Sequence, residues 1–548
     1  MIIRGLKGVL QVRDNLLFAE YIRVPKLFKN SQCHRVWGVK WSTTRNRSTL
    51  GSLTSSPVSR LSIPPLSDAV TRSSESSTQE EVPPGVFKSP ITKALWEIRH
   101  AEMTFQEKRV ADSKSQADAS RFLEDPVSVP PKLSRSTVQY PFSSEPLLRE
   151  EYRNPSGRVR IGRILEDLDA LAGNVAFKHC SEDPSFPLLV TASVDRIALT
   201  RHPNLEWDMT LSGRVVWTGR SSLVINMRCI STPPGVCQVG DVGHVGDEPF
   251  ARDDDRCWLD ANFTFVARNR DTGKSHPVSP LDLGDDDSDV DVEETEAEAG
   301  WRLVRRFVQM QKDRQALERK GFSKGATPEV LRELEASRAE RENDAKALTA
   351  AGFPLQHLPC LADPQGVLVQ QTAVSSTLIC MPQHRNTANR IFGGFLMHRA
   401  YEVAFCAAFM FGGSRPQFSE IDEVVFLQPV DVGDLVRLDA AILYTIDRDD
   451  DESSPLACVE VLASVVRPEA VDSKVSNRFN LIFSFPELVG DASGDRGTAR
   501  ESGKTGGKGG GAVRLRTVLP ADATEASRIV AAKHRRRLQE VARAASRQ

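Results

Sequence analysis

Two kinds of apolar periodicity alternate along this chain and recur in the same order. Over Gly162–Phe177, Ile164, Leu165, Leu168, Leu171, Ala172 and Val175 fall at helical spacing and make one broad apolar face. An extended stretch, Thr137–Phe142, precedes this helix, and strands are predicted after it at Leu188–Leu199, Glu206–Thr218, Ser221–Cys229 and Leu259–Arg268. The pattern then repeats. Ser376–Met381 precedes a helix over Gly393–Phe411, and strands follow at Ile421–Leu427, Leu435–Tyr444, Leu456–Arg467 and Arg478–Phe485. Strict alternation supports strands here: Val436, Leu438, Ala440, Ile442 and Tyr444 share one face, as do Phe479, Leu481, Phe483 and Phe485.

The unit is therefore one strand, one long helix and four more strands, occurring twice. A lone amphipathic helix buries its apolar face by being wrapped in a curved antiparallel sheet, which is the hotdog arrangement. The expected fold class is α+β, a tandem (double) hotdog with domains at 136–283 and 356–488. Residues 61–135 are rich in Ser, Pro and charge, with one helix-like patch near Thr92–Lys108, and are expected to be disordered linker. Residues 284–355 are expected to be an acidic and helical spacer, because nine of the fourteen residues Asp285–Glu298 are acidic. Residues 489–548 should form a Gly-rich linker, including Gly503–Gly511, and a basic helical tail. The basic run His534–Arg537 is expected to dock within the chain rather than on nucleic acid.

Charge modifies this picture mainly at the start. Lys and Arg (71) nearly balance Asp and Glu (73) overall, so no net field attracts nucleic acid. Residues 1–60 instead carry eleven Lys and Arg against only Asp14 and Glu20, the composition of a transit peptide. Import into the mitochondrial matrix is expected ahead of import into a plastid. Nine scattered cysteines without a C-x-x-C pair imply a reduced compartment and no zinc knuckle. No run of 18 apolar residues occurs, so no integral membrane segment is predicted. His384 and His398 flank the second helix start without partners at ligand spacing, and are expected to be polar surface groups rather than metal ligands. Gly497–Thr505 fails as a phosphate loop, since five residues separate the glycines where four are needed.

Several segments together resemble the double-hotdog acyl-CoA thioesterase family, of the mitochondrial acyl-CoA thioesterase 9 type. They are Arg160–Gly173 (RIGRILEDLDALAG), Val190–Ile197 (VTASVDRI), Trp217–Ser222 (WTGRSS), Arg385–Met397 (RNTANRIFGGFLM) and Gln428–Gly433 (QPVDVG), with a further match from Val518 to Arg537. The resemblance implies an enzyme that hydrolyses fatty acyl-CoA to fatty acid and CoA, with no separate cofactor. It also implies one active site at the interface of the two domains and self-assembly, such as a trimer of double-hotdog chains.

Carried over residue by residue, the resemblance makes Asp169, seven residues past Gly162, the catalytic acid, and Asn386, seven before Gly393, the catalytic asparagine. The acid slot of the second helix holds Tyr401, and the first unit has a single glycine, so the complementary site looks degenerate. The chain departs from the family pattern where Phe392 replaces a histidine before Gly393-Gly394 and where Glu402 stands one place past the acid slot. A desolvated Asp169 suits general-base activation of water, and Asn386 could orient that water. The N–H groups of Gly393 and Gly394 at a helix start suit an oxyanion. Gly219, Arg220 and Ser221 are the candidate CoA contacts.

Read without the resemblance, these residues have plainer alternatives. Glu166-Asp167-Leu168-Asp169 reads as solvent-facing acids early in a helix, Asn386 and Asn389 as caps or turn residues, and Thr218–Ser221 as an ordinary hairpin. The competing functions are a non-catalytic acyl-CoA-binding sensor and a hotdog enoyl or hydroxyacyl thioester (de)hydratase. The second would need a histidine at an acid position, and neither helix has one there.

Overall fold

The computed structural model describes residues 88–112, 128–181, 187–234, 256–270, 272–282, 328–386, 389–446, 454–486 and 515–547, all within the compact unit Glu80–Gln548. The basic segment 1–60, the acidic run Asp285–Glu298 and the stretch Gly503–Gly511 lie outside the described residues. The first half runs α1 (Pro90–Asp112), α2 (Pro131–Ser134), β1 (Ser136–Tyr140), α3 (Pro146–Glu151), α4 (Ile161–His179), β2 (Leu188–Leu199), β3 (Asp208–Thr218), β4 (Ser222–Thr232) and β5 (Cys257–Arg268). The second runs α5 (Pro328–His357), β6 (Gly366–Leu368), β7 (Val374–Ile379), α6 (Gly393–Gly412), β8 (Gln417–Phe426), β9 (Leu435–Ile446), β10 (Leu456–Arg467), β11 (Asp472–Ser484), β12 (Thr517–Leu519) and α7 (Ala523–Arg547).

Ten strands form one antiparallel sheet in the order β1-β3-β4-β5-β2-β8-β11-β10-β9-β7. Read outward from the central β2·β8 pair, both halves present their strands in the same order. That pair is in register at Val194↔Val424 and Ile197↔Ile421. Every residue of the two alternating sets on β9 and at β11–Phe485 is buried, as the period-two pattern requires.

The α4 side chains Ile164, Leu165, Leu168, Leu171, Ala172 and Val175 are likewise buried. The acids opposite them are buried too, because α4 is enclosed by the sheet, by α6 and by α1. The two central helices cross where neither chain has a side chain in the way. A Cβ on Gly162 would lie 2.2 Å from the His398 ring, and one on Gly394 would lie 2.9 Å from the Glu166 Cα.

Within the expected linker at 61–135, the described residues Pro90–Asp112 form α1 and pack on the fold instead. Its fully buried apolar residues, among those described, are Leu95 and Trp96, and its apolar positions make no continuous stripe. Polar groups complete its buried face by bonding to α4: Ser89 and Thr92 donate to Asp167 at 2.6 and 2.8 Å, and Arg99 Nε donates to Asn174 Oδ1 at 2.8 Å. The spacer and tail also pack together. Ala345 and Leu348 of α5 meet Ala526 and Val530 of α7, and β12 pairs in parallel with β6.

The basic tail docks within the chain. Arg528 pairs with Glu460, Arg535 lies 3.9 Å from Asp422 and Arg536 lies 3.7 Å from Glu420. All three acids are buried on the sheet. No described helix is long and apolar enough to cross a membrane. Removing one partner of such a buried pair is costly, so Arg528→Met should destabilise the protein by about 3 kcal/mol, measured as a lower urea midpoint. An unchanged midpoint would show that α7 does not hold the sheet acids.

Candidate active site

The first turn of α6 has no cap from its own chain neighbourhood. Its N-cap position is Phe392, whose side chain cannot accept a hydrogen bond. The acceptor comes instead from the other half: the Gly394 N–H donates to Asp169 Oδ2 at 2.7 Å. Gly393 leaves room for this approach, since a Cβ there would stand 2.9 Å from the same oxygen. Thr191 on β2 donates to Asp169 Oδ1 at 3.0 Å. Burial pushes the Asp169 carboxyl up to about 6, and the Thr191 and Gly394 hydrogen bonds, with the nearby Arg99 charge, limit the rise.

The acidic cluster read as solvent-facing is wholly buried. Asp167 receives four hydroxyls: Ser89 and Thr92 on Oδ1, and Tyr140 and Tyr152 on Oδ2 at 3.1 and 2.5 Å. Burial still raises it to about 6. Glu166 meets His398 Nδ1 at 2.9 Å, 232 residues away, and Arg163 at 3.1 Å. Burial alone would raise Glu166 and lower His398. Their contact reverses both shifts, holding Glu166 below and His398 above the ordinary range. The expectation of a surface histidine at 398 is therefore corrected, because its partner lies on the facing helix.

His384 stacks on Phe395 at 3.9 Å, and Phe392 packs edge-on against Trp96 at 5.0 Å. Glu402 faces His398 at 3.1 Å, Arg160 at 3.3 Å and Arg399 at 2.8 Å. Burial would raise it, but His398 and Arg399 bring it down to about 2.

The 232-residue separation of Glu166 and His398 also registers the central helix of each half and the loop before it. It maps Gly162 onto Gly394, Asp169 onto Tyr401, and Asn154 onto Asn386. The two asparagines are built alike. Asn386 Oδ1 accepts the Arg390 N–H at 3.1 Å, and Asn154 Oδ1 accepts the Arg158 N–H at 2.9 Å. Each loop is closed by a bridge, Arg385 to Ile391 and Arg153 to Val159.

Asn154, the Arg158 loop and Tyr401 line one cavity of about 150 Å³. The loop asparagine of one half thus shares a pocket with the acid-slot residue of the other. Asn386 is also a turn residue, with Asn389 at φ 59° in its loop. The common Asn-x-x-x-Arg pattern ahead of each helix was the signal that could have found Asn154. A second cavity of about 420 Å³ lies between α6 and β7, lined by His384, Phe395, Arg399, Glu402 and Cys406 among others.

Gly219, Arg220 and Ser221 form the β3–β4 hairpin, closed by the Gly219 N–H donating to the Ser222 carbonyl at 2.8 Å. The Arg220 and Ser221 carbonyls accept from Val278 and Ala267, so the hairpin is anchored and Arg220 is exposed. Ser222 pairs with Val266, which pairs with Val190 beside Thr191. The hairpin therefore sits two strands, about 10 Å, from the strand that holds Asp169.

A carboxyl raised from 3.8 to about 6 in the fold contributes stability that is full below 3.8 and is lost as pH rises through 6. Asp169→Asn removes that loss. The variant should be more stable than the parent at pH 8 by on the order of 2–3 kcal/mol, with the gap shrinking towards pH 5 in thermal melts. Equal melting temperatures at pH 8 would contradict the burial of an ionised Asp169.

No protein-family model matches the chain. Among curated proteins, acyl-coenzyme A thioesterase 2, chloroplastic, of Humulus lupulus is 38% identical over 451 residues, 82% of this chain and 89% of its own. Acyl-coenzyme A thioesterase 4, mitochondrial, of the same plant is 38% identical over 82% of this chain and 73% of its own. Human acyl-coenzyme A thioesterase 9, mitochondrial, is 32% identical over 58% of this chain and 65% of its own. A solved acyl-CoA hydrolase from Staphylococcus aureus covers 33% of this chain and 96% of its own at 21% identity and TM-score 0.27, too low to bear on the fold. On the extent of the plant matches, this chain belongs to the acyl-coenzyme A thioesterase family.

Proposed function

We propose that this acyl-CoA thioester hydrolase acts through a single split site, with Asp169 as general base from the first half and Asn386 and the α6 start from the second. The observation that carries the reading is the Gly394 N–H held on the Asp169 carboxylate across the two halves. A base near pH 6 is ionised at neutral pH yet basic enough to take a proton from water. Water attacks the thioester carbonyl as Asp169 accepts its proton. The tetrahedral intermediate then expels CoA thiolate with cleavage of the C–S bond, and the proton passes to sulfur.

Gly394 orients the base in this scheme, in place of the oxyanion role expected for it, while the positive end of α6 and Gly393 face the developing charge. Asn386 orients the water. The cavity shared by Asn154 and Tyr401 supports this placement by symmetry, because it joins the same two positions of the repeat.

The mirrored strand order supports reading the halves as tandem hotdog domains at 136–283 and 356–488. The substrate is a fatty acyl-CoA, with the Gly219-Arg220-Ser221 hairpin beside the phosphates. Relatives named mitochondrial and chloroplastic support import directed by residues 1–60. We place the protein in the mitochondrion.

Thiol release from acyl-CoAs of graded chain length tests this reading. Asp169→Ala should lower kcat by roughly 100-fold or more, and Asn386→Ala by a smaller factor. Tyr401→Phe and Asn154→Ala should leave it within about twofold. Loss of activity from the Asn154 or Tyr401 variants, with Asp169→Ala active, would move the chemistry to the other pocket.

A further inference from the structure

We infer that Arg99, carried on α1 outside the two repeated units, is a positioning residue of the thioesterase site, its guanidinium keeping Asp169 in the ionised form. This rests on the reading of Asp169 as the base. The Arg99 side chain lies along α4 at the next turn: its Nη2 donates to the Ala170 carbonyl at 3.2 Å and its Nε to Asn174 Oδ1 at 2.8 Å. Asn174 in turn donates to the Leu95 carbonyl of α1 at 2.9 Å, which fixes both partners. The seat exists because residue 173 is glycine, where a Cβ would stand 2.3 Å from Arg99 Nη2.

The internal repeat supplies an independent comparison. By the offset that maps Asp169 onto Tyr401, Gly173 maps onto Phe405 and Asn174 onto Cys406. The half that lacks the acid also lacks the seat for the cation. Among the described residues its corresponding groove holds no counterpart of α1 and is the cavity lined by Arg399, Glu402 and Cys406. Acid and guanidinium seat occur together on α4 and are both missing from α6.

The charges around Asp169 make the contribution specific. On its own helix, Glu166 is offset by His398 and Arg163, and Asp167 by four hydroxyls. From β2 comes the neutral Thr191 hydroxyl, and from α6 the Gly394 N–H. Glu402 of α6 is engaged by Arg160, Arg399 and His398. Just before α1, Lys88 faces Glu166, and on α1 Glu102 faces Arg99. Burial lowers Arg99 to about 10, so it keeps its charge through the working range.

The test is the pH profile of kcat/KM for thiol release, on the full chain, for the parent, Arg99→Gln, Arg99→Lys, Gly173→Ala and Asp169→Asn. Activity falls as Asp169 protonates, so losing the guanidinium should move the acid limb to higher pH by roughly half a unit or more. Arg99→Gln and Gly173→Ala should both do so, the second by displacing Arg99 without removing it. Arg99→Lys should keep the limb near its parent position.

A uniform loss at every pH in folded Arg99→Gln, with the limb unmoved, would make Arg99 merely structural and overturn the inference. If Asp169→Asn is inactive while that limb stays put, the inference fails alone. If Asp169→Asn retains activity, the base reading fails and takes the inference with it. Thermal melts on each variant separate unfolding from both outcomes.

Discussion

The crossing of α4 and α6 is the constraint on which the rest of the molecule depends. Two glycines, Gly162 and Gly394, let the helices approach until each meets the other's buried ionisable residue, His398 or Glu166. That contact fixes the relative rotation of the helices, and rotation sets where Asp169 points. One turn further along α4, its carboxylate arrives at the uncapped start of α6 and takes the Gly394 N–H. A cap supplied from another helix ties the geometry of the proposed catalytic carboxylate to the packing of two halves. Burial at the same crossing raises that carboxyl to about 6, so the interaction that assembles the fold also sets the basicity of Asp169.

Much of this was legible in the sequence. The sequence order of the strands and both central helices followed from periodicity, and the resemblance quoted on their residues named Asp169 and the Gly393-Gly394 start as parts of one site. The parts that were not legible share one physical feature: burial achieved by polar contacts rather than by apolar pattern. α1 and the residue before it bury Ser89, Thr92 and Arg99 against α4, and a helix with two fully buried apolar anchors leaves a weak stripe. His398 looked like a surface residue because its partner is 232 positions away. Asn154 was missed because isoleucine, Ile161, stands where the first glycine of the second unit stands, hiding the repeat at its most informative point.

The halves have diverged in chemistry while keeping their frame. Each keeps the loop asparagine and its bridge, but one has an acid, a glycine seat and a packed N-terminal helix where the other has Tyr401, Phe405 and an open groove. A repeated fold needs only one competent interface to remain an enzyme, and the freed positions can carry other packing. Residues 88–112 thus belong to the folded protein, and removing residues 1–135 would strip Asp167 of two of its four donors.

The most direct measurement is a structure of the full chain with a thioether analogue of acyl-CoA, which cannot be hydrolysed. The expected result places the carbon that replaces the thioester carbonyl within about 4 Å of Asp169 and the α6 start, the reach of a near-attack geometry or one intervening water. An analogue whose reacting carbon lies in the pocket of Asn154 and Tyr401, with the Asp169 side vacant, would contradict the single split site.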